Sequence, residues 1–347
     1  MKAKIKETIK CVVWDLDNTI WDGVLLESEE VQLRPNIAEI IKELDSRGIL
    51  HSIASKNNHD DVMKKLEEFE LTEYFLYPEI HWDAKSTSLK NIQKNLNVGM
   101  DTILFIDDQQ FELDEVKSVH PDVMCMNHTE YTKLLIHPRL QPRFITKDSK
   151  FRRQMYLEDI KRNQSEQSFQ GPHESFLASL QMKFIISEAK EDDLRRAEEL
   201  TIRTNQLNST GITYDYDELN SFRKRDDYKL LVCELTDRYG SYGKIGLALV
   251  EITNTTWHVK LLLMSCRVMS RGVGSVLLSY IMQQAKEGGK QLLAEFRRTD
   301  RNRMMYATYC FANFKEYLSR EDGFIIFEHD LSSIQPYPPF IEVQVLD

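Results

Sequence analysis

The chain has 347 residues, of which 41% are hydrophobic and 10% aromatic, enough apolar material to bury a substantial core and to exclude wholesale disorder. Its 55 acidic residues outnumber its 45 lysines and arginines, and the formal net charge of −10 argues against a nucleic-acid binder held by bulk charge. No apolar run approaches the roughly 20 residues that a membrane-spanning helix needs, and the basic start of the chain lacks the apolar segment of a signal peptide.

The five cysteines are scattered and show neither CxxC nor Cys/His ligand spacing, a usage typical of reduced thiols in a cytoplasm. We therefore expect a cytoplasmic protein without a zinc site. Four of the cysteines lie in apolar runs or on helix faces and are assigned to the core, namely Cys11, Cys125, Cys233 and Cys310.

The first third of the chain alternates short apolar runs with helical periodicity, which predicts a βαβαβ order and a doubly wound parallel sheet. The strands are predicted over residues 11–16, 49–54 and 102–106. Apolar residues recur at helical spacing over 37–44 and 62–69, and Gly48 is a suitable end for the first of these helices.

Residues 137–149 combine two prolines with little periodicity, which predicts a linker and a domain boundary near residue 140. The predicted division is an N-terminal domain over 1–136, a linker with a bridging helix over 137–181, and a C-terminal domain over 182–347. Within the linker, residues 151–163 are predicted as the helix and the polar stretch 165–175 as a loop.

The C-terminal domain is also predicted to be α/β. Its strands are predicted near residue 182 and over 229–234, 244–252, 259–264 and 292–296. Its helices are predicted over 192–207, 275–286 and 302–318, and a glycine-containing loop over 271–274 precedes the second of them.

Polar side chains follow the three predicted strands of the N-terminal sheet. Asp15 and Asp17 follow the first strand, Ser55 the second, and the Asp107-Asp108 pair the third. Because the carboxyl ends of parallel strands face one crevice, we expect these side chains to converge there.

This set suits a cation site beside an anion pocket. Asp15 and the Asp107-Asp108 pair offer the oxygen ligands that Mg²⁺ prefers, while Ser55 and Lys85 would hold phosphate oxygens. Each motif alone has a structural alternative, a polar turn after the first strand or a helix cap after the third. Four elements in the right order at strand ends favour the functional interpretation.

These residues resemble the haloacid dehalogenase (HAD) superfamily of phosphotransferases, whose pattern is DxDxT, a strand-end Ser or Thr, a Lys and an acidic pair. The resemblance implies that Asp15 attacks phosphorus to form an aspartyl-phosphate, and that Asp17 acts as general acid and base. It implies a Mg²⁺ site formed by Asp15, the backbone carbonyl of Asp17 and the acidic pair, with Asp108 contributing more than Asp107. The implied phosphate- and substrate-binding residues are Thr19, Ser55, Lys56, Asn57 and Lys85.

The intervals between these motifs are short. The stretch between Thr19 and the predicted helix at residue 37, and the stretch from Ser55 to Lys85, leave no room for a large cap domain. The site is therefore expected to be open, which suits a large or protein-tethered substrate.

The C-terminal half resembles the N-acetyltransferase fold of the GNAT superfamily. Its segment Ser270-Arg271-Gly272-Val273-Gly274 follows an apolar strand and opens a helix, where backbone N–H groups could cradle a pyrophosphate. Further matches in spacing are Asn302, Met305, Tyr309 and Asn313-Phe314, although Met269 and Asn313 depart from the pattern. The implied phosphopantetheine-binding residues are Arg267, Arg271, Gly272, Gly274, Asn302 and Tyr309. A generic α/β domain with a glycine loop is the alternative.

Cys266 lies immediately before this loop. In a GNAT-like fold the pantetheine arm passes that strand end, so Cys266 would meet an incoming thiol, and the neighbouring Arg267 could lower its pKa. Without that context, a small buried hydrophobic residue is the usual role of a free cysteine.

Taken together, the chain resembles the FkbH-like proteins of polyketide assembly lines, in which a HAD domain is joined to a GNAT-like domain. The resemblance rests on the segments 14–24, 55–58, 82–85, 105–112, 203–208, 237–240 and 265–272. It implies transfer of a glyceryl unit from 1,3-bisphosphoglycerate, with removal of phosphate, to the phosphopantetheine of an acyl carrier protein through an enzyme-bound thioester. Asp22 and Ser241-Tyr242 depart from the family's pattern.

Two other functions are compatible with the sequence. One is a Mg²⁺ phosphatase whose second half is an acetyl-CoA-dependent acetyltransferase. The other is a phosphatase whose second half only docks a carrier protein. Cys266 and the atypical Met269 favour acyl transfer, because an ordinary acetyltransferase needs no cysteine there.

Overall fold

The computed structural model describes residues 8–28, 30–143 and 145–346. The chain divides into two compact units, Met1–Asp159 and Ile160–Asp347. The division lies within the expected linker but later than residue 140, because residues past that point still bond to the first unit. Arg152 donates to the carbonyl of Gly48 (2.7 Å), and Tyr156 donates to the carbonyl of Leu96 (3.0 Å).

The first unit contains a five-stranded sheet in the order β5-β4-β1-β6-β7, in which every neighbouring pair is parallel. A two-stranded hairpin, β2–β3, lies outside it. The strands are β1 (Cys11–Trp14), β2 (Trp21–Asp22), β3 (Gln32–Leu33), β4 (Leu50–Ser55), β5 (Glu79–Ile80), β6 (Ile103–Asp107) and β7 (Met124–Asn127). The helices are α1 (Ile37–Ser46), α2 (His59–Glu68), α3 (Lys85–Leu96), α4 (Gln110–Val119) and α5 (Lys147–Lys150).

The predicted parallel α/β sheet is confirmed, and its hydrophobic pattern explains it. The three central strands β1, β4 and β6 are buried along their whole length, as strands covered on both faces must be. Helix α1 buries Ile37, Ile40, Ile41 and Leu44, each worth about 1.5–3 kcal/mol of transfer free energy. Between Thr19 and α3, the described residues form the hairpin, α1, β4, α2, a short 3₁₀ turn (Thr72–Tyr74) and β5, without a large cap.

The helix α6 (Arg152–Ser168) spans the division between the units, and the second unit continues with α7 (His173–Ser179), α8 (Leu194–Arg203), α9 (Tyr216–Arg223), α10 (Val276–Glu287) and α11 (Arg303–Phe311). Its strands are β8 (Met182–Glu188), β9 (Tyr228–Asp237), β10 (Gly240–Ile252), β11 (Thr256–Met264), β12 (Gln291–Arg297), β13 (Lys315–Ser319), β14 (Phe324–His329) and β15 (Ile341–Leu346). They form one mixed sheet, β13-β14-β12-β11-β10-β9-β8-β15, in which β11 and β12 are parallel neighbours joined through α10.

Two predictions in this half are wrong in part. The helix predicted over 302–318 ends at Phe311, because Asn313 adopts a left-handed conformation (φ 65°) and β13 follows. The loop predicted over 165–175 is mostly helical, since α6 runs to Ser168 and α7 begins at His173. In the described part of the chain, we find no helix that combines the length and the apolar character needed to cross a membrane.

Candidate active site

The carboxyl edge of the first sheet gathers the predicted motif residues. Asp15 follows β1 directly, while Ser55 and Asp107 are the last residues of the two strands that flank β1. All three are almost completely buried, with 5%, 3% and 0% of their surface exposed. Ionisable groups that are this buried need charged or polar partners.

Lys85 supplies the main partner of these carboxylates. It is the first residue of α3, and its Nζ lies 2.7 Å from Asp15 Oδ1 and 2.5 Å from Asp107 Oδ2. Burial acts to lower the pKa of Lys85, but the charges of Asp15 and Asp107 outweigh it and leave that pKa raised. The hydroxyl of Thr19 donates to Asp15 Oδ2 at 3.3 Å. Asp15 is thus held between a buried cation and a hydroxyl.

Three carboxylates at this edge could hold a metal ion. Asp15, Asp107 and Asp108 each offer an oxygen, and these oxygens lie within 4.8 Å of one another. Burial, followed by the negative charge of Asp15, raises the pKa of both Asp107 and Asp108. A hard divalent cation would offset that cost, and oxygen-only ligands fit it.

The two members of the acidic pair differ in their partners. Asp107 is engaged through both oxygens, by Lys85 and by the backbone N–H of Gln109 (2.8 Å). Asp108 Oδ1 is buried and accepts no hydrogen bond within the described chain. Since a buried oxygen without a partner is costly, Asp108 Oδ1 is the better fitted of the two to ligate a cation directly.

Asp17 is held by donors from three segments. Its Oδ1 accepts from Trp21 Nε1 (2.8 Å) and from the backbone N–H of Leu25 (3.1 Å), and its Oδ2 accepts from Asn57 Nδ2 (2.9 Å). Burial raises the pKa of Asp17, against the effect of these hydrogen bonds. A carboxyl with a raised pKa close to a second carboxylate, here Asp15, is suited to proton transfer.

The predicted phosphate-binding residues fall into two groups. Ser55 and Lys85 lie at the buried edge beside Asp15, whereas Lys56 is paired with Glu112 (2.7 Å) and Asn57 is bonded to Asp17. Asn57 therefore belongs to the support of a carboxylate. The sequence analysis assigned no role to Trp21 or Glu112, and only the spacing of four residues between Asp17 and Trp21 gave a local signal for the first.

In the second unit, the parallel pairing of β11 with β12 stops early. It joins Thr256–Val259 to Gln291–Ala294 and ends there. The gap between residues 260–264 and residues 295–297, here called the strand gap, is occupied by the backbone of 207–209. Ser209 donates to Leu262 O (2.9 Å), Arg297 donates to Ser209 O (3.0 Å), and Met264 donates to Leu207 O (2.9 Å).

Two residues that the sequence assigns to phosphopantetheine binding are fully buried in the second unit. Asn302 is fully buried, and its Nδ2 donates to the carbonyls of Asn208 (3.0 Å) and Arg297 (2.9 Å) while its Oδ1 accepts from Thr299 N (2.8 Å). Tyr309 is fully buried against aromatic rings, and burial raises its pKa. The amide of Asn302 is thus bonded within the protein through both its nitrogen and its oxygen.

In and near the glycine loop, the arginine side chains bond within the protein, whereas the backbone at Gly274 is uncrowded. Arg271, 2% exposed, donates to Glu166 (2.9 Å) and Asn163 (3.1 Å), so it too is committed to the fold, and Arg267 donates to the carbonyl of Tyr242 (2.9 Å). Gly272 has a φ of +71°, which favours glycine. A Cβ at Gly274 would meet no atom within 4 Å, so the backbone there is open to approach.

Cys266 follows the end of β11, at the edge of the strand gap. It is half-buried and forms no disulfide. Cys11 and Cys233 are fully buried, and burial raises the pKa of both thiols, so they are poor nucleophiles. The predicted core positions of these two are confirmed, whereas Cys310 is exposed and Cys125 only half-buried.

Residues 24–120 match the family model of the haloacid dehalogenase-like hydrolases. The matched residues lie within the first unit, whose parallel sheet has a haloacid dehalogenase-like fold. The chain is also 26% identical over 137 residues to magnesium-dependent phosphatase 1 of Homo sapiens, a match that covers 34% of this chain and 77% of that protein.

Solved structures are similar to each half of the chain. One is the N-terminal part of a Bacteroides fragilis protein containing a phosphatase domain complexed with Mg, with 28% identity, 39% of this chain and 40% of that chain covered, and a TM-score of 0.34. Another is the ribosomal-protein-S18-alanine N-acetyltransferase of Escherichia coli, with 19% identity, 44% and 97% covered, and a TM-score of 0.34.

Proposed function

We propose that the protein is a bifunctional Mg²⁺-dependent phosphatase and glyceryl transferase. It takes the glyceryl unit of 1,3-bisphosphoglycerate, removes phosphate, and loads the unit through a Cys266 thioester onto the phosphopantetheine of an acyl carrier protein in polyketide-type biosynthesis. The observation that carries the phosphatase part is the grouping of Asp15, Lys85, Asp107 and Asp108 at the carboxyl edge of the first sheet, with Asp17 held nearby.

In the phosphatase reaction, a carboxylate oxygen of Asp15 attacks phosphorus and forms an aspartyl-phosphate. Mg²⁺, held by Asp15 and Asp108, would screen the repulsion between this carboxylate and the phosphate. Lys85 keeps Asp15 oriented and balances the charge of Asp107. Asp17 gives a proton to the leaving oxygen, and then takes one from the water that hydrolyses the intermediate.

In the transfer reaction, the thiolate of Cys266 attacks the acyl carbon of the acyl phosphate. A carbon–sulfur bond forms, the carbon–oxygen bond to the acyl phosphate breaks, and inorganic phosphate leaves. The phosphate ester on the third carbon stays on the thioester and is removed in the phosphatase reaction. The phosphopantetheine thiol then displaces Cys266 in a thioester exchange, which is close to neutral in free energy. The half-buried position of Cys266 at the end of β11 supports this role.

The alternative is a HAD phosphatase whose second unit is an acetyl-CoA-dependent acetyltransferase or a carrier-docking domain. Coenzyme A and a carrier protein present the same phosphopantetheine arm, so the bonding in the strand gap does not separate these functions, and Cys266 at the end of β11 is the feature that favours acyl transfer. Carrier docking without a covalent step is an outcome of the experiment below.

Intact-mass analysis of a carrier protein incubated with enzyme, Mg²⁺ and 1,3-bisphosphoglycerate tests the proposal. We expect a glyceryl adduct with the wild type, none with Cys266→Ser, and a trapped acyl group on the peptide containing Met264–Arg267. Asp15→Asn should abolish phosphate release from a phosphate ester, while Cys266→Ser retains it. Normal loading by Cys266→Ser, or an acyl group on Cys310, would exclude the thioester role and favour docking.

A further inference from the structure

The two carboxylate oxygens of Asp17 are not equivalent. Oδ1 accepts two hydrogen bonds, from Trp21 Nε1 and Leu25 N, whereas Oδ2 accepts one, from Asn57 Nδ2. Each carboxylate oxygen has two lone pairs in its plane, so both acceptor positions of Oδ1 are used and one on Oδ2 is left. This inequality has a consequence for proton transfer.

We propose that Trp21 and Asn57 are positioning residues that commit the two oxygens of Asp17 to different tasks. Trp21, with the N–H of Leu25, anchors Oδ1, and Asn57 aims Oδ2, which is the oxygen that exchanges the proton with the leaving group. The inference rests on the proposed phosphatase function and specifies how its general acid is held.

Both donors are themselves fixed by the fold. Trp21 is fully buried, begins the β2–β3 hairpin opposite Leu33, and packs near the ring of Phe69 (centroids 6.2 Å apart). Asn57 is 2% exposed, and its Oδ1 accepts from the N–H of Asn58 (2.9 Å), which leaves its Nδ2 directed to Asp17. A side chain held by two such immobile donors loses little entropy in reaching a productive geometry.

The proton balance follows from this assignment. As the bond between Asp15 and phosphorus forms and the bond to the leaving oxygen breaks, the proton on Asp17 Oδ2 moves to that oxygen. In the second step, Oδ2 takes a proton from the attacking water, and the bond between Asp15 and phosphorus breaks. Oδ1 keeps its two hydrogen bonds throughout.

The test is the dependence of kcat/KM on the leaving group, measured with aryl phosphates from phenyl to 2,4-dinitrophenyl phosphate in the presence of Mg²⁺. This ratio reports formation of the aspartyl-phosphate and not its hydrolysis, in which Oδ2 also acts. Trp21→Phe keeps the ring but removes the N–H, and Asn57→Ala removes the other donor. Trp14→Phe is the matched control, because it removes a buried indole N–H that is bonded to His51 instead. Asp17→Asn serves as the reference for complete loss of the acid.

We expect Trp21→Phe and Asn57→Ala to lower kcat/KM by about 10-fold or more on phenyl phosphate but by less than about 3-fold on 2,4-dinitrophenyl phosphate, since a good leaving group needs no proton. Inhibition by inorganic phosphate should be unchanged. Trp14→Phe should lower kcat/KM equally on both substrates or not at all. A uniform loss of kcat/KM in Trp21→Phe and Asn57→Ala would overturn the proposal, as would weaker inhibition by inorganic phosphate in Asn57→Ala, which would return Asn57 to phosphate binding. If Asp17→Asn lowers the rate equally for good and poor leaving groups, Asp17 is not the general acid, and it is the proposed function that is contradicted instead.

Discussion

The carboxyl edge of the first sheet and the strand gap of the second sheet are both places where the pairing of neighbouring strands ends and polar groups need other partners. At the first, Asp15, Ser55 and Lys85 converge, and a buried oxygen of Asp108 accepts no hydrogen bond from the residues that the structure describes. At the second, the chain's own residues 207–209 bond to both strands, and Asn302 is saturated with internal hydrogen bonds.

The two regions differ in whether their buried polar groups already have hydrogen-bond partners within the protein. A buried polar atom with all its partners inside the protein stabilises the fold and has nothing left for a substrate, whereas a buried carboxylate oxygen with none pays a desolvation cost that a ligand can offset. By this criterion the first region is built for chemistry. In the second, Cys266 and the open backbone at Gly274 remain for that purpose.

The largest expected effect tests the unpartnered oxygen of the first region. Asp108→Ala should weaken Mg²⁺ binding by more than about 100-fold, and Asp107→Ala, which loses a residue that orients Lys85, by about 10-fold. Titration calorimetry with Mg²⁺ measures both. The control is Asp114→Ala, which removes an exposed carboxylate from α4 and should leave the affinity unchanged. Equal affinities in the wild type and both site variants would contradict a metal site at this edge.

Much of the first region could be predicted because its strands and the residues that follow them are apparent from short stretches of sequence. Three apolar runs, each followed by a polar residue, predict parallel strands whose ends meet, and Asp15, Ser55 and Asp107 lie at those ends. The partners of Lys56 and Asn57 could not be predicted. The sequence around a lysine or an amide near a phosphate site does not show whether the side chain contacts the phosphate or a neighbouring carboxylate.

In the second region, the internal hydrogen bonds of Asn302 could not be predicted from the sequence. Its partner Asn208 lies 94 residues earlier in the chain, and nothing in the spacing of a helix indicates such a contact. The end of α11 could not be predicted for a related reason. Asn313 is compatible with a helix, and the following residues form the strand β13 only because β14 lies beside them.

An intermediate effect tests whether Asn302 serves the fold. Asn302→Ala removes two hydrogen bonds that hold residues 208 and 297 together, and should lower the free energy of unfolding by about 1–3 kcal/mol. Chemical denaturation measures this change. Asn254→Ala, in the exposed turn between β10 and β11, should change it by less than about 0.5 kcal/mol. Unchanged stability in Asn302→Ala together with loss of coenzyme A binding would restore the ligand-binding role and remove the contrast between the regions.

The smallest effect concerns a satisfied polar group inside the first unit, His51. Trp14 Nε1 donates to His51 Nδ1 (3.0 Å), so Nδ1 is an acceptor, and His51 Nε2 then donates to the carbonyl of Ile41 (3.1 Å). A second proton on Nδ1 would oppose the indole N–H, and burial lowers the pKa of His51 to about 3. This imidazole is therefore neutral and structural, in contrast to the carboxylates at the carboxyl edge of the same sheet.

Because the pKa of His51 is lower in the folded than in the unfolded chain, where it is about 6.5, the unfolded chain binds more protons between these two values. The contribution of His51 to stability is fully present above about pH 6.5 and is lost as the pH falls, by at most about 1.4 kcal/mol per pH unit. Thermal melts between pH 7.5 and 5 should show His51→Phe less stable than the wild type at pH 7.5 but with a shallower decline below pH 6.5. His59→Gln, which changes an exposed histidine, should follow the wild-type slope. Parallel curves for His51→Phe and the wild type would mean that His51 binds a proton as readily in the folded protein as in the unfolded chain. A buried polar group with two internal partners could then still titrate.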